Sequence, residues 1–167
     1  MLQSALRYCN LMAQDEGQGF CFTLSGSSGC GKTTIAQAIY RHARKHYGVY
    51  EAPIGMGGTL ITQTRPVLFW DASQLAGRLK RGDWQLVDTL HNAFFLALDD
   101  IGNEHDPSGF MGSVLVDVLN ARRDKWTIQT SNLDRPDLAS RYDARFASRL
   151  SRWGNKIMRF EAPDWDE

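Results

Sequence analysis

Apolar positions along the chain fall into two rhythms. Leu2, Ala5/Leu6, Cys9 and Met12/Ala13 recur at helical spacing, as do Ile35, Ala38/Ile39, Ala43 and Tyr47, and later Phe110, Val114, Leu115, Val118 and Leu119. Residues three and four apart share one face of an α-helix, so each set predicts an amphipathic helix. Between them lie short runs rich in β-branched and aromatic residues, Phe20–Leu24, Val67–Trp70, Phe94–Leu98, Trp126–Thr130 and Lys156–Glu161, which predict strands. Strands that alternate with helices predict an α/β fold, a five-stranded and mostly parallel sheet covered on both faces. Two stretches depart from simple alternation. Residues 48–65, "GVYEAPIGMGGTLITQTR", read as a long glycine-rich connection, and connections of that length are usually functional or mobile. "DASQLAGRLKRGDWQLVDTLHN" reads as two short helices broken at Gly82, where one crossover helix would suffice.

Composition narrows the class. A chain of 167 residues fits one domain, with an N-terminal helix within 1–18 and a core over 19–167. No run approaches the ~20 apolar residues that cross a bilayer, and the N-terminus lacks the basic start and apolar core of a signal peptide, so a cytoplasmic protein without membrane contact is expected. Cys9, Cys21 and Cys30 are odd in number and lack C-x-x-C spacing, which implies neither a disulfide framework nor a zinc site; Cys9 and Cys21 read as packed thiols. Net charge is zero, but residues 121–160 carry ten Lys/Arg against four Asp, a surplus of +6, and four acids in the last seven residues offset most of it. That distribution predicts a local basic face for phosphates of a ligand, a nucleic acid or a neighbour's nucleotide.

Chemistry concentrates at strand ends. "GSSGCGKTT" follows the first predicted strand and opens a helix, as a P-loop must, and makes Gly26, Ser27, Ser28, Gly29, Cys30, Gly31, Lys32, Thr33 and Thr34 the expected ATP contacts. Its glycines let backbone N–H groups close around phosphates, Lys32 reaches the β/γ-phosphates, and the Thr33 hydroxyl ligates Mg²⁺. The apolar run "FFLALDDIG" ends in Asp99 and Asp100, at the sheet edge where open α/β folds bind ligands. Asp99 is the expected Walker-B carboxylate on Mg²⁺, and Asp100 the group that polarises the attacking water. "WTIQTSN" ends in Asn132, which either holds the γ-phosphate or lytic water, or forms the turn that "LDRPD" favours. Arg145, Arg149 and Arg152 follow at helix-like intervals and make either a solvated basic face or an arginine supplied in trans to a neighbour's nucleotide.

The order of these motifs is more specific than any one of them. "GSSGCGKTT", "VLFWDASQLAGRLKRGDWQLVDTL", "LALDDIGNEHDPSGFMGSVLVDVLNARRDKWTIQTSNL" and "YDARFASRLSR" resemble the AAA+ ATPases of the DnaC-type helicase loaders and IstB-type transposition helpers, over nearly the whole chain from about Phe20. The resemblance implies a P-loop NTPase core with strand order 5-1-4-3-2, a helical insertion after the second strand, and ATP-dependent assembly into an oligomer or spiral on DNA. It makes Asn132 the sensor-1 residue and Arg149 the arginine finger, with Arg145 the second candidate, and it offers Lys80 and Arg81 for DNA contact. The implied function is an ATP-hydrolysing replication factor that assembles on single-stranded DNA and acts on a DnaB-type replicative helicase. A transposition helper on duplex DNA with a transposase is the alternative, ahead of a small P-loop kinase or a nucleotide-switched binding module. Two departures stand out: only about twenty residues precede the first strand, and the chain stops just after its fifth, so no helical lid is expected. Leu2–Ala13 is then either a core-packing helix or the partner-binding element.

Overall fold

The computed structural model describes residues 2–14, 18–54 and 59–160. In chain order the strands are β1 (Cys21–Gly26), β2 (Val49–Ile54), β3 (Thr59–Thr64), β4 (Val67–Asp71), β5 (Phe95–Asp99), β6 (Trp126–Ser131) and β7 (Lys156–Phe160). The helices are α1 (Leu2–Gln14), α2 (Lys32–Tyr47), α3 (Ala72–Lys80), α4 (Gln85–Asn92), α5 (Phe110–Ala121), α6 (Arg135–Arg141) and α7 (Ala144–Arg149). Five strands form one sheet, β4-β5-β6-β1-β7, and every adjacent pair in it is parallel. Numbered within that sheet alone and read from the β7 edge, the order is 5-1-4-3-2. Parallel strands all end at one edge, so Gly26, Asp71, Asp99 and Ser131 terminate their strands on the same side of the molecule.

Strand β5 reads as a continuous apolar run up to Asp99 because both its faces are covered. Along β5, Phe95 and Ala97 enter a core with Tyr8 and Met12 of α1 and Ile39 and Ala43 of α2. Leu96 and Leu98 enter the opposite core, with Leu75 and Leu79 of α3, Leu90 of α4, Leu115 of α5 and Phe146 of α7. This two-residue alternation sorts one strand between two cores. Helix α1 therefore packs on the sheet. The Tyr8 hydroxyl donates to the carbonyls of Thr127 at 2.9 Å and Phe20 at 3.2 Å. No helix among the described residues is long and apolar enough to cross a membrane.

The 48–65 segment corrects the expectation of a simple connection. It forms an antiparallel hairpin, β2 with β3, in register from Val49↔Thr64 to Ile54↔Thr59. Pro53 and the glycines masked the strand signal, yet a proline is tolerated in a strand that has an open edge, as both strands of a two-stranded ribbon do. The split helices expected over 72–91 are α3 and α4, and Gly82, at φ 90°, sits in the turn between them.

Candidate functional site: a phosphate-binding cleft at the strand ends

The cleft begins with the loop between β1 and α2. Gly31 caps α2 at φ 87°, a conformation costly for any residue with a Cβ, so the helix starts at Lys32 with its first backbone N–H groups free of intrahelical partners. Gly26 is needed for space, since a Cβ there would stand 2.2 Å from the Phe160 carbonyl oxygen of β7. Lys32 is buried and folds back over the loop, its Nζ donating to the carbonyls of Gly26 at 3.0 Å and Ser27 at 2.6 Å. The Cys30 thiol lies 3.5 Å from the same nitrogen and is itself buried. An ammonium held over exposed helix-terminal amides is an anion-binding arrangement.

Opposite the loop, the ends of β5 and β6 supply a chain of hydrogen bonds. Asp99 Oδ1 accepts from the hydroxyls of Thr33 at 3.0 Å and Thr130 at 2.6 Å. The Thr130 hydroxyl in turn accepts from the Asp100 backbone N–H at 2.8 Å. Asp100 has φ 57°, a left-handed conformation that costs a non-glycine residue about 1 kcal/mol or more. Its carboxylate is gripped on both oxygens, by Asn132 Nδ2 at 3.0 Å and Asn103 Nδ2 at 2.8 Å. Thus Thr33, Asp99, Asp100 and Asn132, separated by up to 99 positions in sequence, meet in one cavity of about 330 Å³, together with Ser28, Gly29, Gly31, Lys32, Thr34, Asp71 and Thr130. The hydroxyl and carboxylate of Thr33 and Asp99 form a hard oxygen donor pair beside a phosphate cradle, which fits Mg²⁺.

Several residues here carry no motif. Asp71 ends β4 directly opposite Asp99 in the register, lines the cavity, and caps α3 by accepting from the Gln74 N–H at 2.9 Å. A strand ending in an aspartate was the available signal, the same one that marked Asp99. Thr130 is legible only as a polar residue at the end of β6, and Asn103 had no signal.

The arginines are placed elsewhere. Arg145 and Arg149 lie on α7, which ends before Arg152, and neither lines the cavity. Arg149 donates through Nε to Asn120 Oδ1 at 2.5 Å and through Nη1 to the Arg145 carbonyl at 2.9 Å. Arg145 pairs with Asp143 at 3.0 Å and leaves 79% of its side chain exposed. Asp143 caps α7, and the Phe146 N–H beside its carboxylate, followed by Arg145, holds its pKa below the usual value. The basic window does not form one face. Arg122 is buried, donating to Thr127 Oγ1 and to the carbonyls of Leu90, Ala93 and Trp126 at 2.7–2.9 Å, and burial lowers its pKa to about 10. Lys80 donates to the His105 carbonyl, whereas Arg81 and Trp84 stand exposed on the α3–α4 connection.

A parallel sheet in this order, with the P-loop after its interior strand β1 and paired carboxylates at the end of β5, defines the fold of an AAA+-type P-loop domain. Among solved structures, the chain is similar to the DnaC helicase loader (TM-score 0.70, 23% identity, covering 95% of this chain and 89% of that one). It is similar to DnaI (TM-score 0.67, 21% identity, 96% and 82%) and to the replication initiator DnaA bound to AMPPCP and single-stranded DNA (TM-score 0.69, 19% identity, 95% and 46%). The chain thus spans about half the length of that DnaA. No protein-family model and no curated protein sequence matches this chain.

Proposed function

We infer that this protein is an ATPase of the helicase-loader kind, which binds Mg²⁺ and ATP in the cleft, assembles on single-stranded DNA and acts on a replicative helicase. The observation that carries the reading is the hydrogen-bonded chain Thr33–Asp99–Thr130–Asp100–Asn132 facing Lys32 across one cavity. The structural likeness to a DnaC helicase loader supports the loader class. Lys32 exchanges its loop carbonyls for β/γ-phosphate oxygens, while the amides at the start of α2 take up the remaining phosphate charge. Thr33 and Asp99 would hold Mg²⁺, which would supply charge neutralisation to the phosphates. Asp100 orients the attacking water, and Asn132, released from Asp100, reaches the γ-phosphate. An aspartate at position 100 is short for water activation, which favours slow turnover outside the assembly.

Arg149 belongs to a neighbour's site on this reading, because it stands off its own cavity. The single-stranded DNA contact falls on the α3–α4 connection, where Arg81 supplies charge and Trp84, 55% exposed, offers a face for base stacking. Binding of a fluorescent ATP analogue, and ATP turnover with and without single-stranded DNA, test this. Lys32→Ala is expected to abolish nucleotide binding. Trp84→Ala is expected to weaken single-stranded DNA binding about tenfold with ATP affinity unchanged. Preference for duplex DNA would turn the reading toward a transposition helper, and ATP binding without turnover toward a nucleotide-switched module.

A further inference from the structure

Glu104 is a buried carboxylate that the chemistry above does not use. Its side chain has no solvent exposure, and burying a carboxylate costs several kcal/mol unless it is fully bonded. The bonds are present. Oε2 accepts from the Gly102 N–H at 2.9 Å and Oε1 from the Tyr142 hydroxyl at 2.6 Å, with Arg141 Nη2 3.8 Å from Oε1 and also donating to the Glu104 carbonyl. None of these partners lines the nucleotide cavity. What they join is informative. On one side is the segment that imposes the left-handed turn at Asp100, fixed by the Ile101 N–H on the Thr130 carbonyl at 2.9 Å and by Asn103 on the Asp100 carboxylate. On the other, Tyr142 directly follows α6 and precedes Asp143, the cap of α7, the helix that carries Arg149. A strained conformation persists only where its surroundings over-determine it, and Glu104 is the group that ties those surroundings to a second element.

We propose that Glu104 is a positioning residue: through Gly102 and Asn103 it holds Asp100 in place, and through Tyr142 it couples that placement to α7. The inference rests on the ATPase reading for its consequence, since movement of α7 as Arg149 engages a neighbour would be felt at the same subunit's Asp100. The test uses the full chain with three variants, Tyr142→Phe, Glu104→Gln and Glu104→Ala. Three readouts are taken: affinity for a fluorescent ATP analogue, kcat well below the melting temperature, and the side-chain amide NMR signals of Asn103 and Asn132. Tyr142→Phe is expected to shift both amide signals and lower kcat about tenfold with ATP affinity unchanged. Glu104→Gln, which still accepts from Gly102 and meets Tyr142, is expected to recover most of what Glu104→Ala loses. Unmoved amide signals in Tyr142→Phe, or kcat that falls only in step with ATP affinity and melting temperature, would overturn the proposal. A wild-type protein without turnover would defeat the ATPase reading instead, and the amide signals would still decide whether the clasp holds Asp100.

Discussion

Asp100 shows how a single residue is made to serve a site at the expense of its own backbone. Its φ of 57° turns the chain so that the carboxylate faces Asn132 and Asn103 while Asp99, one residue earlier, faces Thr33. Asp100→Asn keeps the tolerated left-handed conformation and removes the charge that orients water on the proposed mechanism. ATP affinity should therefore be retained and kcat should fall at least about 100-fold, as measured by analogue binding and phosphate release. Cys21 makes a different residue-scale prediction. Burial pushes its thiol up to about 12, so above pH 9 the unfolded chain ionises while the folded protein stays protonated. The stability it contributes is complete below that point and is lost as pH rises toward the folded value, about 1 kcal/mol of it between pH 9 and 10. Burial also raises Tyr8, whose loss begins near pH 10, and lowers Arg122 to about 10, which returns stability only above that value. Burial raises the Cys9 thiol as well, so urea midpoints between pH 9 and 10 should fall in both proteins, and more steeply in the wild type than in Cys21→Ala.

At the scale of elements, one face of α1 meets the core-packing expectation that the spacing of its apolar residues left open. Tyr8 and Met12 are sealed against the sheet while Leu6 is 53% exposed, so the helix is built into the core. Met12→Ala is expected to cost about 2–5 kcal/mol and Leu6→Asp almost nothing, as read by thermal or urea unfolding. The strands of the sheet were legible as short runs of β-branched and aromatic residues, and their covering helices because each buries its apolar positions by a fixed period. The β2–β3 hairpin was not, since glycines and Pro53 outweighed the β-branched residues of "TLITQT". The same contrast holds in the site. Asp99, Asp100 and Asn132 stand where a strand meets a loop, and Lys32 and Thr33 where a glycine loop meets a helix, positions that sequence reveals. Asn103 and Glu104 lie inside the loop after β5, and their meaning comes from partners such as Tyr142, 38 positions along the chain from Glu104. Arg122 was counted toward a basic face because charge in a sequence says nothing of which carbonyls will enclose it.

At the scale of the whole molecule, the cleft is built from one chain, and among the described residues no arginine lines it to meet the charge that the proposed hydrolysis would develop on the γ-phosphate. Among the described residues Lys32 is the cation that lines it, and Arg149, outside that lining, is fastened to Asn120. An exposed side-chain hydrogen bond is worth only about 1 kcal/mol, so docking on a neighbour's nucleotide can release that guanidinium. If it does, each subunit holds parts of two active centres, and specific activity should rise with protein concentration. Arg149→Ala should still bind ATP through Lys32 and the amides of α2, yet lose about 10³-fold or more in turnover. Mixing provides the sharper measurement. An Arg149→Ala subunit keeps its P-loop and carboxylates, and a Lys32→Ala subunit keeps its arginine, so two inactive proteins should recover part of the activity by forming complete interfaces between unlike subunits. Dilution should abolish that recovery. Activity that is independent of concentration with single-stranded DNA present, or normal hydrolysis by Arg149→Ala, would leave Arg149 on the solvated face of α7 and make the cleft sufficient by itself.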